Sequence, residues 1–160
     1  MRLEGTLLVV KDLDVSRAFY KDVLGCSTIL DLGVYATFEG FCIITEEQWS
    51  EFQEPPGLKY SYGNNVCQLG FEEEDIDSFV KHLSGFKIDF VSPLKEYPWG
   101  QRSMRFYDPD RHIVEVGEDM KVVTKRFLKS GMSIEETIKK VMYPPQFINM
   151  CWNELQNEGK

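Results

Sequence analysis

The chain has 160 residues, 42% of them hydrophobic, with 18 Lys and Arg against 26 Asp and Glu for a net charge of -8, which is enough length for one substantial core. The acidic balance argues against nucleic acid as a partner, because phosphate binding relies on clustered Lys and Arg. No apolar run approaches the roughly 20 residues of a membrane span and no N-terminal signal pattern is visible, so a cytoplasmic protein with no membrane partner is expected.

In chain order, residues 6–10 (TLLVV) read as a strand, and Asp14 to Leu24 read as a helix that buries Phe19, Val23 and Leu24 and stops at Gly25. Three short strands follow at 28–32, 35–39 and 41–45, punctuated by Gly33 and Gly40. The connection from Trp49 to Asn65 is long for a compact domain and carries Phe52, Tyr60 and Tyr62 beside Pro55, Pro56 and Gly57. It is either a binding loop or a linker between duplicated halves. A second copy of the plan begins with VCQLGF at 66–71, continues as a helix from Asp75 to Leu83, and ends in strands near 86–91, 101–107 and 112–117. The acidic run Glu72 to Asp75 suits a solvated strand end and a helix N-terminus, where negative charge is favourable. Tyr97, Pro98 and Trp99 form a candidate rim, and Trp99 reads as a core plug with equal justice.

Past residue 118 the pattern becomes helical. Val123 and Phe127 share a face ending near Gly131, Ser133 and Glu136 have capping-box spacing, and Pro145 suits a first helical position. The last two helices carry Ile134, Ile138, Val141, Met142, Ile148, Trp152 and Leu155, more apolar surface than a free segment leaves in water. They are expected to cover the body of the protein or a second subunit, and a homodimer is the favoured reading because symmetric dimers are the commonest oligomers. Cys26, Cys42, Cys67 and Cys151 are scattered without a C-x-x-C pair and read as reduced packing residues.

The stretch 98–117, PWGQRSMRFYDPDRHIVEVG, has two strand-like runs flanking an Asp108-Pro109-Asp110-Arg111 turn. Glu115 interrupts the second run, and a carboxylate among buried apolar residues needs a cation, a hydrogen-bond donor or water. This run resembles the closing hairpin of the vicinal oxygen chelate superfamily, which includes glyoxalase I, bleomycin-resistance proteins and extradiol dioxygenases. VVKDLDVSRAFYKDVLG at 9–25 is similar to its opening strand and helix. Arg111 departs from the pattern, standing where the family usually has the turn's glycine.

The resemblance implies an α+β fold: two paired βαβββ modules forming a curved mixed sheet around a cavity, with a C-terminal helical extension. The domain would span 1–118, with modules at about 1–49 and 66–118, a linker at 50–65 and the extension at 119–160. In metal-using relatives four side chains ligate a divalent cation. Carried over, those positions fall on Gly5, Ile44, Gln68 and Glu115, with Glu46 two residues past Ile44. Only Glu115 matches fully, so no metal and no other cofactor is expected; a metal, if bound, would use Glu115, Gln68 and Glu46. His82 and His112 read as surface or packing residues. The resemblance puts Ser103 and Arg105 on the cavity side with Glu115, while strand parity alone adds Thr37 and Cys42. Candidate ligand-binding residues are therefore Arg105, Glu115, Gln68, Ser103, Trp99, Cys42 and Thr37. The leading expectation is a protein that binds a small, partly apolar and anionic molecule without a metal. The alternatives are a metal-dependent lyase or isomerase of glyoxalase I type, with Glu115 as the candidate catalytic group, and an interaction protein acting through the tail.

Overall fold

The computed structural model describes residues 1–3, 5–54, 57 and 59–158, so Pro55 and Pro56 of the long connection lie outside the described residues. The chain divides into two compact units: residues 1–68 together with 107–113, and residues 69–106 together with 114–160.

The first unit runs β1 (Thr6–Val10), α1 (Leu13–Asp22), β2 (Leu30–Asp31), β3 (Tyr35–Phe38), β4 (Phe41–Thr45) and α2 (Glu46–Glu51). Its sheet order is β1-β4-β3-β2, with β1 parallel to β4 and the remaining pairs antiparallel. The Asp12 side chain caps α1 by accepting from the Val15 amide, and the chain turns away through Gly25 at φ +69. Alternate residues Leu8, Val10, Ala36, Phe38, Phe41 and Ile43 are buried, as period-2 strands under one helix require. Tyr20 of α1 is fully buried, its ring centroid 4.9 Å from that of Phe41.

Residues 107–113 belong to this unit through their carboxylates. Asp108 accepts from the Tyr20 hydroxyl at 2.8 Å, and Asp110 accepts from the Lys11 amide at 3.2 Å and the Ser16 hydroxyl at 3.4 Å. The turn is closed locally by the Asp110 and His112 amides, both donating to Asp108. Arg111 adopts φ +66, the left-handed conformation that its place in the turn demands, and its guanidinium carbon lies 3.9 Å above the Tyr107 ring.

Helix α2 was not anticipated. Thr45 accepts from the Gln48 amide as its N-cap, and Glu46 and Glu47 fill its first turn, a start signal concealed by placing the connection at Trp49.

The second unit contains β5 (Gln68–Glu73), α3 (Ile76–Leu83), β6 (Phe90–Glu96), β7 (Arg102–Tyr107), β8 (Ile113–Glu118), α4 (Met120–Lys129), α5 (Ile134–Val141) and α6 (Pro145–Glu158); Gln68, Tyr107 and Ile113 at its strand ends group with the first unit. The sheet order is β5-β8-β7-β6. Strand β6 begins at Phe90, not near residue 86 as expected. Phe86 instead follows the end of α3, its ring 5.0 Å from that of His82. Pro93 is tolerated because β6 is an edge strand whose register shifts between Ser92 and Lys95. The architecture is α+β, with two βαβββ modules followed by helices.

The tail packs on its own unit. Met120, Val123, Leu128, Val141, Ile148 and Cys151 form a buried cluster, supported by Trp99, Phe127, Ile134, Ile138 and Leu155. The expected capping box is present in full at Ser133 and Glu136, and α6 starts at Pro145. Most of the apolar surface expected to require a second subunit is thus covered within the chain; Met142 and Trp152 remain 69% and 37% exposed. No described helix is long and apolar enough to cross a membrane.

Candidate functional site

Two groups of side chains stand out, one in each unit. In the second unit, β7 and β8 place Ser103, Arg105 and Glu115 on the sheet face opposite Met104 and Phe106, which are buried. Arg105 Nη2 lies 2.8 Å from Glu115 Oε2, and Ser103 Oγ donates to Glu115 Oε1 at 3.1 Å. Arg105 Nη1 also donates to the Tyr97 hydroxyl. Tyr97 therefore completes the cluster; it had been named only as a rim residue. Its place follows from the register, since Lys95 pairs with Ser103 across the hairpin and the side chain two residues further on shares its face.

Desolvation pushes the Tyr97 phenol up, but hydrogen bonds with Arg105 and Ser103 and the charges of Arg105 and Lys95 outweigh it and hold the phenol below its usual range. Trp99 stacks on Tyr97 with ring centroids 4.7 Å apart, and its indole N–H donates to Gln101. Because Trp99 also packs on the tail cluster, it is a structural support beside the polar group. Glu115 is 19% and Arg105 25% exposed at the side chain, so the pair is shielded yet reachable.

In the first unit, Thr37 and Cys42 are register partners on β3 and β4. They line a cavity of about 350 Å³ with Gly5, Leu7 and Tyr35. A second, more apolar cavity of about 410 Å³ lies between Leu32, Val34, Ile44, Trp49 and Phe52. Gln68 opens β5 and is exposed, and Glu46 is the first residue of α2. His112 is held by the Asp108 carboxylate at 2.8 Å, while His82 lies on α3.

A family model for the glyoxalase-like domain matches residues 3–121. The chain belongs to this family. Among solved structures, the glyoxalase-like chain resembles a protein of unknown function from Agrobacterium tumefaciens str. C58, with 35% identity and a TM-score of 0.69 over 74% of this chain and 94% of that one. A glyoxalase/bleomycin resistance protein/dioxygenase from Nocardioides is 25% identical with a TM-score of 0.60, over 74% and 84% of the two chains. A lactoylglutathione lyase from Agrobacterium tumefaciens shares the fold at 24% identity and a TM-score of 0.59, over 74% and 94%. No curated protein matches the chain. The helical tail beyond residue 121 falls outside the glyoxalase-like match.

The metal site of metal-using glyoxalase-like proteins does not fit these residues. At Gly5, an added Cβ would stand 2.9 Å from the Gly40 carbonyl oxygen, so that position accommodates no side chain without moving backbone. Ile44 is buried and has no donor atom. Glu115 already carries a guanidinium on one oxygen and a hydroxyl on the other. Among the described residues, no three His, Cys, Asp or Glu side chains gather as a metal cluster.

Proposed function

We propose that this glyoxalase-like protein binds a small, partly apolar molecule bearing an anionic group, and does so without a metal. The observation that carries this reading is the orientation of Arg105. Its guanidinium is fixed by Glu115 and Tyr97 on a half-buried sheet face, so little conformational freedom is lost when its planar fork meets a carboxylate or phosphate. Glu115 and Ser103 add an acceptor and a hydroxyl beside it, which favours a ligand head that both accepts and donates. The Tyr97–Trp99 stack supplies flat apolar surface next to the charge. A glyoxalase I-type lyase or isomerase would need ligands at Gly5 and Ile44, which the packing at those positions opposes.

The test is a screen of small acids against their neutral amides by calorimetry. An acid that binds should be weakened by about 1.5–3 kcal/mol in Arg105→Ala, the usual worth of a charge-assisted hydrogen bond, and should bind equally after chelator treatment. Unchanged affinity in the variant would make the Arg105–Glu115 pair structural. Stoichiometric divalent metal in the protein purified without chelator, lost on Glu115→Ala, would overturn the metal-free reading.

A further inference from the structure

A third cavity lies in the first unit and shares Leu7 with the cavity that Thr37 and Cys42 line. It measures about 360 Å³, at the lower end of the roughly 300–1,000 Å³ typical of small-molecule pockets. Its floor is apolar, made by Leu7 and Val9 of β1 and by Ile113. Its rim is polar and comes from two separate stretches: the 59–67 connection, with Lys59, Ser61 and Asn65, and the turn, with Arg111 and His112.

The charge of this rim runs against that of the molecule. The chain carries -8, yet the described residues lining the cavity include two permanent cations, Lys59 and Arg111, and no carboxylate. Carboxylates stand behind the rim and steady it: Asp108 holds the His112 ring at 2.8 Å, and Asp110 accepts from Ser16 and pairs with Lys11. Glu46 sits beside Tyr62. Burial, and then the neighbouring Glu46 carboxylate, push the Tyr62 phenol far above its usual range, so it stays neutral and cannot repel an anion.

The rim is also preorganised. Asn65 at φ +60 and Arg111 at φ +66 are both left-handed without being glycine, and both are fastened to Tyr107. The Tyr107 hydroxyl donates to Asn65 Oδ1 at 2.8 Å, and the Arg111 guanidinium covers its ring. One tyrosine thereby fixes a polar amide and a cation at the mouth of the same cavity. The ring of Tyr62, 6.0 Å from that of His112, adds an aromatic wall.

We propose that this cavity of the first unit is itself a ligand site, which takes a compact aromatic carboxylate with its ring over Leu7 and Val9 and its acid toward Lys59 and Arg111. The probe is indole-3-carboxylate, compared with indole-3-carboxamide by amide chemical-shift mapping of the full chain. Saturable shifts are expected at Ser61, Asn65, Cys67 and His112 with the acid at millimolar concentration, and much weaker ones with the amide. Lys59→Gln should weaken the acid several-fold, and Lys59→Gln with Arg111→Gln by ~tenfold or more, as for loss of charge-assisted contacts. Lys59 is exposed, so the single variant keeps the test valid if the double variant folds poorly. Shifts centred on Ser103 and Arg105, equal binding of the amide, an unaffected Lys59→Gln, or no saturable shifts at all would each overturn the proposal.

Discussion

At the scale of single residues, Arg111 and Asp108 show how differently two members of one turn contribute. A left-handed non-glycine residue costs roughly 1–2 kcal/mol, but glycine there would lose more backbone entropy on folding and forfeit a cation–π contact of about 0.5–1 kcal/mol. These terms nearly cancel, so Arg111→Gly should leave stability within about 0.5 kcal/mol of the parent in urea unfolding. A loss several times larger would show that the side chain holds the fold. Asp108 is the opposite case, because its buried carboxylate accepts from Tyr20, the Asp110 amide and the His112 amide, and pairs with the His112 ring. Asp108→Ala should cost about 3 kcal/mol or more by the same measurement, since it strands several buried donors at once. The sequence marked Asp108 and Asp110 as turn formers. It could not show that both are anchored to α1, and Asp110 also to Lys11 just before it, because their partners lie some ninety residues earlier.

At the scale of elements, local signals were read where they are local and lost where packing decides. The Ser133–Glu136 box and Pro145 act within one helical turn and gave the right helix starts, whereas the helix expected to run to Leu24 before Gly25 ends at Asp22. The start of β6 was misplaced because Phe86, which follows α3, reads by itself as a strand residue. Arg105 and Glu115 were placed on one face by resemblance, whereas the role of Tyr97 depends on a cross-hairpin register with a bulge. The docking of α4 on the turn after β6 is invisible in sequence and easily tested. Gly100 has φ +86, and a methyl group there would overlap the Phe127 ring. Gly100→Ala should destabilise by about 3 kcal/mol, combining overpacking with an unfavourable φ, and Phe127→Leu should recover part of that loss. Beside this contact, Glu118 is buried and accepts from Arg102 and Arg126. Desolvation raises its carboxyl, but the two arginines outweigh that and hold it below the ordinary 4.5. A depressed folded-state value adds stability above pH 4.5 that is lost as the pH falls through the folded value. Glu118→Gln should therefore be less stable at neutral pH and show a flatter decline in acid urea titrations.

At the scale of the whole molecule, the tail needs no partner to bury its core, because α4, α5 and α6 share one cluster with Trp99. The exposed large apolar residues of the tail, Met142, Tyr143, Met150 and Trp152, are far from the roughly 1,200 Å² of a stable interface, so Met142→Lys with Trp152→Lys should leave the molar mass in light scattering unchanged. A fall in mass would show that the tail joins two copies. The division of the chain has a different consequence, in time. The first unit is discontinuous: the acids that tie down Tyr20, Ser16 and Lys11 arrive only with residues 108 and 110. A nascent chain leaving the ribosome at roughly 5–20 residues per second must therefore hold β1 and α1 unfinished for several seconds while the strands of the second unit are made. During that interval Tyr20 has no buried acceptor and Phe38 and Phe41 lack a settled helix above them, so the apolar face of the first unit stays incomplete until residues 108 and 110 emerge.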